Sequence, residues 1–483
     1  MFSKDFKFGF SEAGFQSEMG ISDPDTNSDW YVWAHNPNNI SKKLTSGDLP
    51  ENGPAYWDLY REDHDNAKSI GMNAARLSVE WSRIFPSSTE KVKVGLDEDG
   101  DDIFNVEVTE KNLEELDRLA NRHAVDHYTE MFRDFKSKMD YLALNLYHWT
   151  VPLWINNPDR NANGIYGRPF GGGFERTQTI EFAKYAAYIS WKFGELADTW
   201  VTMNEPNMVF LGCDNDTSFA ALAKRKKHFA QAHARAYENL KRYSDKKVGI
   251  VYANGDVQPL TPEDISAARL MTTVQRYSFF DTIVKGSMAG NNQDMGDDSE
   301  FRTKDNRTDL ANKVDWIGVN YYSRDVVSAT ENGWKIEPGY GYATGDVAKS
   351  LDGRSVSDTG WEVYPDGIYN LLMEYHNHYH LPMMITENGI ADATDALRPR
   401  YIASHIFNME RAMKDGANVT GYFHWALTDN YEWASGFSKR FGLFGVDLET
   451  KARLLRPSSM VFREIMENNG VPDNLLWMTE GKI

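Results

Sequence analysis

Two segments run from apolar residues straight into a carboxylate. Residues 200–207, "WVTMNEPN", end on Asn204, Glu205, Pro206 and Asn207; residues 381–390, "LPMMITENGI", pass through Glu387 into Asn388 and Gly389. Two carboxyls facing one cleft from different strands could cleave a glycosidic bond, one protonating the leaving oxygen and the other meeting the cationic sugar carbon. Each also has a plainer reading. Glu205 could serve the first turn of a helix capped by Asn204 and opened by Pro206, and Glu387 could be a strand-end charge before a glycine turn.

The elements that must position these groups recur along the chain. Eight short apolar or β-rich runs end in polar residues: "FKFGFSEA", "AARLSVEW", "YLALNLYHW", "DTWVTMNEP", "KVGIVYAN", "DWIGVNYY", "PMMITENG" and "GYFHWALTD". Helical spacing separates them, as in residues 56–70, 179–196, 227–243 and 401–415. Alternating strands and helices, with the strands buried on both faces, predict an α/β fold with parallel strands. Eight such units predict a single (β/α)8 TIM barrel, with an open doubly wound sheet as the competitor. Long irregular inserts at 87–108, 156–173 and 323–360 follow strands and precede helices, so all three are expected on the C-terminal face of the strands. No linker or internal repeat interrupts the pattern, and residues 1–483 read as one catalytic domain.

Other residues at or just past the strand ends match the same chemistry. Gln16, Arg76, His148, Asn204, Tyr322, Trp425, Glu432 and Trp433 offer amides, an imidazole and tryptophans. Sugar hydroxyls want such hydrogen-bond partners, and the C–H face of the ring stacks on indole. Taken singly, Trp425 reads as core and His148 as a structural histidine.

At this point the motifs "TMNEPN", "ITENG", "RLSVEWSRIFP", "LYHW", "IGVNYY" and "HWALTDNYEWASGFSKRFGL" resemble those of glycoside hydrolase family 1, the retaining β-glycosidases. "SGDLPENGPAYW" and "QAHARAYE" resemble the archaeal branch. The resemblance runs nearly end to end. It implies a barrel enzyme needing no cofactor, with Glu205 as acid/base, Glu387 as nucleophile, and Arg76 and Tyr322 holding the nucleophile as an anion. It further implies Gln16, His148, Asn204, Glu432 and Trp433 as partners of the sugar hydroxyls, Trp425 as the stacking floor and Trp361 as a platform on the leaving-group side. The implied substrate is a β-glycoside or oligosaccharide, of glucosidase or galactosidase type, with β-mannosidase specificity as the variant. A homo-oligomer, tetramer or dimer, is implied by the archaeal relatives. One departure stands out: after "NEPN" the family usually continues into a Gly-rich segment, whereas this chain reads "MVFLGCDNDTSFAALAKRKKHF".

Composition narrows the rivals. At 483 residues and 41% hydrophobic, the chain can bury a large core. A net charge of −19 disfavours nucleic acid, which needs a basic face to displace counterions. The run Lys224, Arg225, Lys226, Lys227 reads as a solvated helix face. Cys213 is the only cysteine, which excludes an intrachain disulfide and fits a reducing compartment. No apolar stretch is long enough to span a membrane, and cytoplasmic residence is the expectation. No metal is expected: His376 and His380 share a helix face and His378 points away from both. A sugar-binding barrel without activity would keep the tryptophans but would have no need of a proton donor, and a metal-dependent barrel would need His and Asp ligands at the strand ends.

Overall fold

In the Ala74–Ser78, Thr199–Asn204 and Met383–Asn388 strands every residue is buried, as expected of strands covered on both faces. The computed structural model describes residues 2–158, 173–212, 219–288 and 307–482. Eight strands form its centre: β1 (Lys7–Glu12), β2 (Ala74–Ser78), β3 (Tyr141–Asn145), β4 (Thr199–Asn204), β5 (Lys247–Pro259), β6 (Trp316–Thr330), β7 (Met383–Asn388) and β8 (Val419–His424). Each pairs in parallel with the next, and β8 pairs with β1 through Lys7↔Gly421 and Phe10↔His424. The ring is therefore closed, and the open sheet is excluded among these strands.

Ala74, Val201, Val251, Trp316, Met384 and Phe423, drawn from six strands, make a small core separate from the larger one under the helices. Trp316 fills much of this inner layer and donates from Nε1 to Thr199 Oγ1 at 2.9 Å. Space for it comes from Gly249, where a Cβ would sit 2.3 Å from the indole. Outside the ring, apolar stripes seat the helices. Arg122–Lys138 buries Ala124, Val125, Tyr128, Met131, Phe132 and Phe135, a period of three to four residues. Helices Tyr56–Ser69, Arg176–Phe193, Phe219–Tyr243 and Arg398–Lys414 occupy the stretches predicted for them. No helix among the described residues is long and apolar enough to cross a membrane.

Three expectations need correction. The acidic insert is not irregular: Gly95–Asp99 and Asp102–Glu107 form an antiparallel hairpin. Gln231, Arg235 and Asn239 of the Phe219–Tyr243 helix donate to its carbonyls at Asp101, Ile103 and Val106, so it lies on the helical layer and away from the cleft. The insert after Tyr322 begins as strand, because β6 runs on to Thr330 and Gly333–Ile336 folds back on it. The basic run is only half solvated. Lys224 and Lys227 reach Asp101 and Asp102, while Arg225 and Lys226 are buried; Arg225 Nε donates to Phe210 O at 2.8 Å.

The histidines lie as read. His376 and His380 rings are 5.7 Å apart, and His378 stacks on Tyr277. No group of three or more metal-ligating side chains occurs among the described residues. Cys213 and most of the 156–173 insert lie outside them.

Candidate active site

Glu387 sits at the end of β7, where parallel pairing sets it opposite Asn320 of β6. Arg76, from β2, donates from Nη2 to Glu387 Oε1, and Tyr322 Oη donates to Oε2 at 2.6 Å. The Arg76–Glu387 ion pair is almost wholly buried. Gly389, two residues on, is required by close approach: a Cβ there would lie 1.8 Å from the Trp425 carbonyl oxygen.

Glu205 follows the end of β4 with φ +48, a left-handed conformation uncommon for a residue with a side chain. Its backbone N–H is tied to Val251 O at 2.8 Å, and Asn320 Nδ2 donates to its Oε1 at 2.8 Å. Burial, then the negative charge of Glu387, push its pKa up to about 8, against the opposing pull of Asn320 and Arg76. The two glutamates share a cleft, so their protons belong to a coupled pair. The helix-cap reading of Asn204 fails, because its side chain is spent elsewhere. Asn204 Oδ1 accepts from Arg76 Nη1 at 2.8 Å and from Asn320 Nδ2 at 3.1 Å, which leaves Nδ2 to meet His148 Nε2 at 3.1 Å.

That last contact assigns a tautomer. Burial and the nearby Arg76 hold His148 well below the usual imidazole range, so the ring is neutral. With Nε2 accepting, the proton sits on Nδ1, which has no partner among the described residues. Gln16 is similar. Its Nε2 donates to Tyr431 O at 3.0 Å and Asn430 Oδ1 at 3.3 Å, while Oε1 is unpartnered. Glu432 accepts from Trp425 Nε1 at 3.1 Å and is pushed up to about 8, chiefly by burial. The loop that carries it is fixed by Arg456, whose two Nη atoms meet Asp429 at 2.8 and 2.7 Å. Trp433 stacks on Phe15 at 5.7 Å and touches Trp30 and Trp149. Trp361 lies 5.2 Å from the Tyr322 ring and 5.4 Å from that of Tyr342.

A cavity of about 540 Å³ opens onto these groups. Gln16, His148, Glu205, Tyr322, Trp361, Glu387, Trp425, Glu432 and Trp433 all line it, and Arg76 and Asn204 stand behind the carboxyls. The residues singled out in the sequence are thus brought together without exception. Sequence reasoning missed Asn320, which bonds Asn204 and Glu205 and is itself fixed by Thr386 Oγ1 at 2.8 Å. The available signal was an Asn in the middle of the strand "IGVNYY", where β propensity disfavours it. Asp325 and Tyr342, also on the cavity wall, were missed, the first with the strand extension that carries it and the second in the Gly341–Ala343 turn beyond it.

A closed parallel barrel whose strand ends present two buried carboxyls, one held by an arginine and a tyrosine and the other by an amide, around a tryptophan-lined hollow belongs to the class of sugar-cleaving hydrolases. The sequence profile "Glycosyl hydrolase family 1" matches residues 1–103 and 117–471. A β-galactosidase of Saccharolobus solfataricus is 46% identical over 485 residues, covering 98% of this chain and 96% of that protein. A β-glycosidase structure from the hyperthermophile Thermosphaera aggregans superposes with a TM-score of 0.91 at 45% identity, covering 99% of both chains. A β-glucosidase mutant described as derived from a hyperthermophilic tetrameric structure gives 0.88 at 42% identity, covering 99% of this chain and 98% of that one. The chain belongs to glycosyl hydrolase family 1 and is a retaining glycoside hydrolase.

Proposed function

We propose that Glu387 is the nucleophile and Glu205 the acid/base of an exo-acting β-glycosidase that removes terminal non-reducing sugars. The observation that carries this is the contrast between their surroundings: cation and phenol donors on Glu387, burial beside a negative charge on Glu205. At neutral pH Glu205 is protonated and can give its proton to the departing oxygen as Glu387 attacks the sugar carbon, forming a glycosyl ester. Ester formation removes the charge of Glu387, and with it one cause of the raised Glu205 pKa. Glu205 then becomes the base that takes a proton from the incoming water. Gln16 Oε1, His148 Nδ1–H, the second Nδ2 hydrogen of Asn204, Glu432 and Trp433 are proposed to hold the sugar hydroxyls, over Trp425 as the stacking floor. Trp361 serves the leaving group.

Glucose or galactose as the terminal sugar is supported by relatives that are a β-galactosidase and a β-glucosidase A. The tetrameric origin of one structural relative supports a homo-oligomer, and a lone cysteine supports cytoplasmic residence. The test is proton NMR during the first minutes of hydrolysis of aryl β-glucosides and β-galactosides. Release of the β-anomer first is expected, with the carboxyls about 5 to 5.5 Å apart. Initial α-anomer would overturn the double displacement.

A further inference from the structure

Beyond the carboxyls the cavity continues outward along β5 and β6, whose pairing runs on from Asn254↔Tyr321 to Pro259↔Val327. Asp325 lies on this extension, three residues and therefore about 10 Å beyond Tyr322. Its side chain lines the cavity and only 8% of the residue is exposed. The carboxylate lies against the Gly255 backbone, where a Cβ would meet Oδ2 at 2.1 Å, and beside the Tyr342 ring. Among the described residues no hydrogen-bond donor reaches it. Arg276, the cation whose charge acts on it, is spent on Glu374 and on Gly255 O. A buried carboxylate without a donor is costly, and such groups persist where a ligand completes them.

Its direction identifies which part of a substrate it meets. The Glu205 N–H bonds Val251 O of β5, and Asn207 donates to Ala253 O and accepts from its N–H, so the outward run of β5 and β6 that carries Asp325 begins beside Glu205. Asp325 is thus on the side of the proton donor, where the leaving group departs. Gln275 joins it there from a π-helical turn, Thr273–Tyr277, while Met208, Leu211, Met271 and Ile336 supply apolar wall. A polar acceptor and an amide set among apolar faces suit a sugar ring, with hydroxyls on one edge and C–H faces on either side.

We infer that Asp325 is a specificity-determining residue of a leaving-group subsite, accepting hydrogen bonds from the hydroxyls of a second sugar, so that β-linked disaccharides and oligosaccharides are favoured substrates. This rests on the assignment of Glu205 as the donor to the leaving group. Burial, opposed by Arg276 and reinforced by Asp256, pushes the Asp325 carboxyl up to about 7, so near neutrality it can accept from a hydroxyl when ionised or donate to one when protonated.

The experiment compares kcat/KM on a β-linked disaccharide with kcat/KM on the β-glycosyl fluoride of the same terminal sugar, whose one-atom leaving group cannot reach Asp325. Asp325→Ala is expected to lower the disaccharide-to-fluoride ratio roughly ten- to a hundredfold, the scale of a hydrogen bond to a charged group. Asp325→Asn, which keeps an acceptor oxygen, should recover much of that ratio. Thermal unfolding midpoints of both variants should equal or exceed that of the native protein, since an unpaired buried charge has been removed. A ratio within twofold of native for Asp325→Ala, with both substrates still cleaved, would overturn this inference alone. A loss seen only with an aminoalkyl glycoside would overturn it in favour of a cation site. An equal loss of disaccharide and fluoride hydrolysis in Glu205→Ala would overturn the assignment of the donor, and this inference with it.

Discussion

The inner and outer halves of the cavity are built differently. In the inner half, Arg76, Asn204, Asn320, Tyr322 and Glu387 are tied into a continuous network, Glu432 is held separately by Trp425, and aromatic rings back the rest. In the outer half Met208, Leu211, Met271 and Ile336 share the wall with Gln275 and Asp325, and Asp325 is bonded to none of its described neighbours. Networks of satisfied hydrogen bonds fix geometry, whereas apolar walls with few polar points tolerate varied occupants. The inner half is therefore suited to one terminal sugar in one pose, and the outer half to a choice among leaving groups. Glu205 stands at the junction.

Changes in the inner half should fall on every substrate alike. Glu387→Ala should lower kcat/KM on the order of 10⁶, the scale on which loss of a covalent nucleophile is felt in another hydrolase. The loss should be the same for disaccharides and for activated aryl glycosides. A loss graded by leaving group would break the comparison.

At the junction the effect should be smaller and graded. Glu205→Ala should cost a disaccharide about 10² to 10⁴ in the first step, because its alkoxide leaves badly without a proton. A dinitrophenyl glycoside should still form the ester, releasing a burst of phenol and then stalling until azide is added. If both glutamate variants lose activity in equal proportion across the series, the roles given to them are wrong.

The smallest effect sharpens the link between the two glutamates. The first step needs Glu205 protonated, so kcat/KM on a disaccharide should fall as pH rises through about 8. Asn320 donates to the Glu205 carboxylate and so favours its ionised form. Asn320→Ala should move the alkaline limb of the profile to higher pH, with a rate loss on the order of tenfold from the broken hydrogen bonds. A limb that moves downward would show that another group sets it.

Much of this was legible in the sequence because buried parallel strands leave a strong mark. All eight runs picked out by apolar content and polar ends are strands, and residues at or just past the ends of seven of them line one cavity, with Arg76 of β2 behind it. The hairpin at 95–107 left no such mark: Gly95–Asp99 is exposed throughout, and its partner strand buries only Ile103 and Val106. The extension of β6 was hidden because "SRDVVSAT" carries charge where a strand reading expects none. Arg324 is nonetheless buried, paired with Glu362, a partner 38 residues away that no local pattern reveals. Larger separations hid Asn320, whose partners Asn204, Glu205 and Thr386 lie 66 to 116 residues away.

The most direct test of the central claim is to trap the ester. A 2-deoxy-2-fluoro β-glycoside with a dinitrophenolate leaving group destabilises the oxocarbenium-like transition state of both steps, while the good leaving group lets the first step outrun the second. Peptide mapping by mass spectrometry after incubation should then find one sugar per chain, esterified to Glu387 within residues 383–388. A sugar on Glu205, or inactivation-free turnover with no adduct on either glutamate, would contradict the assignment.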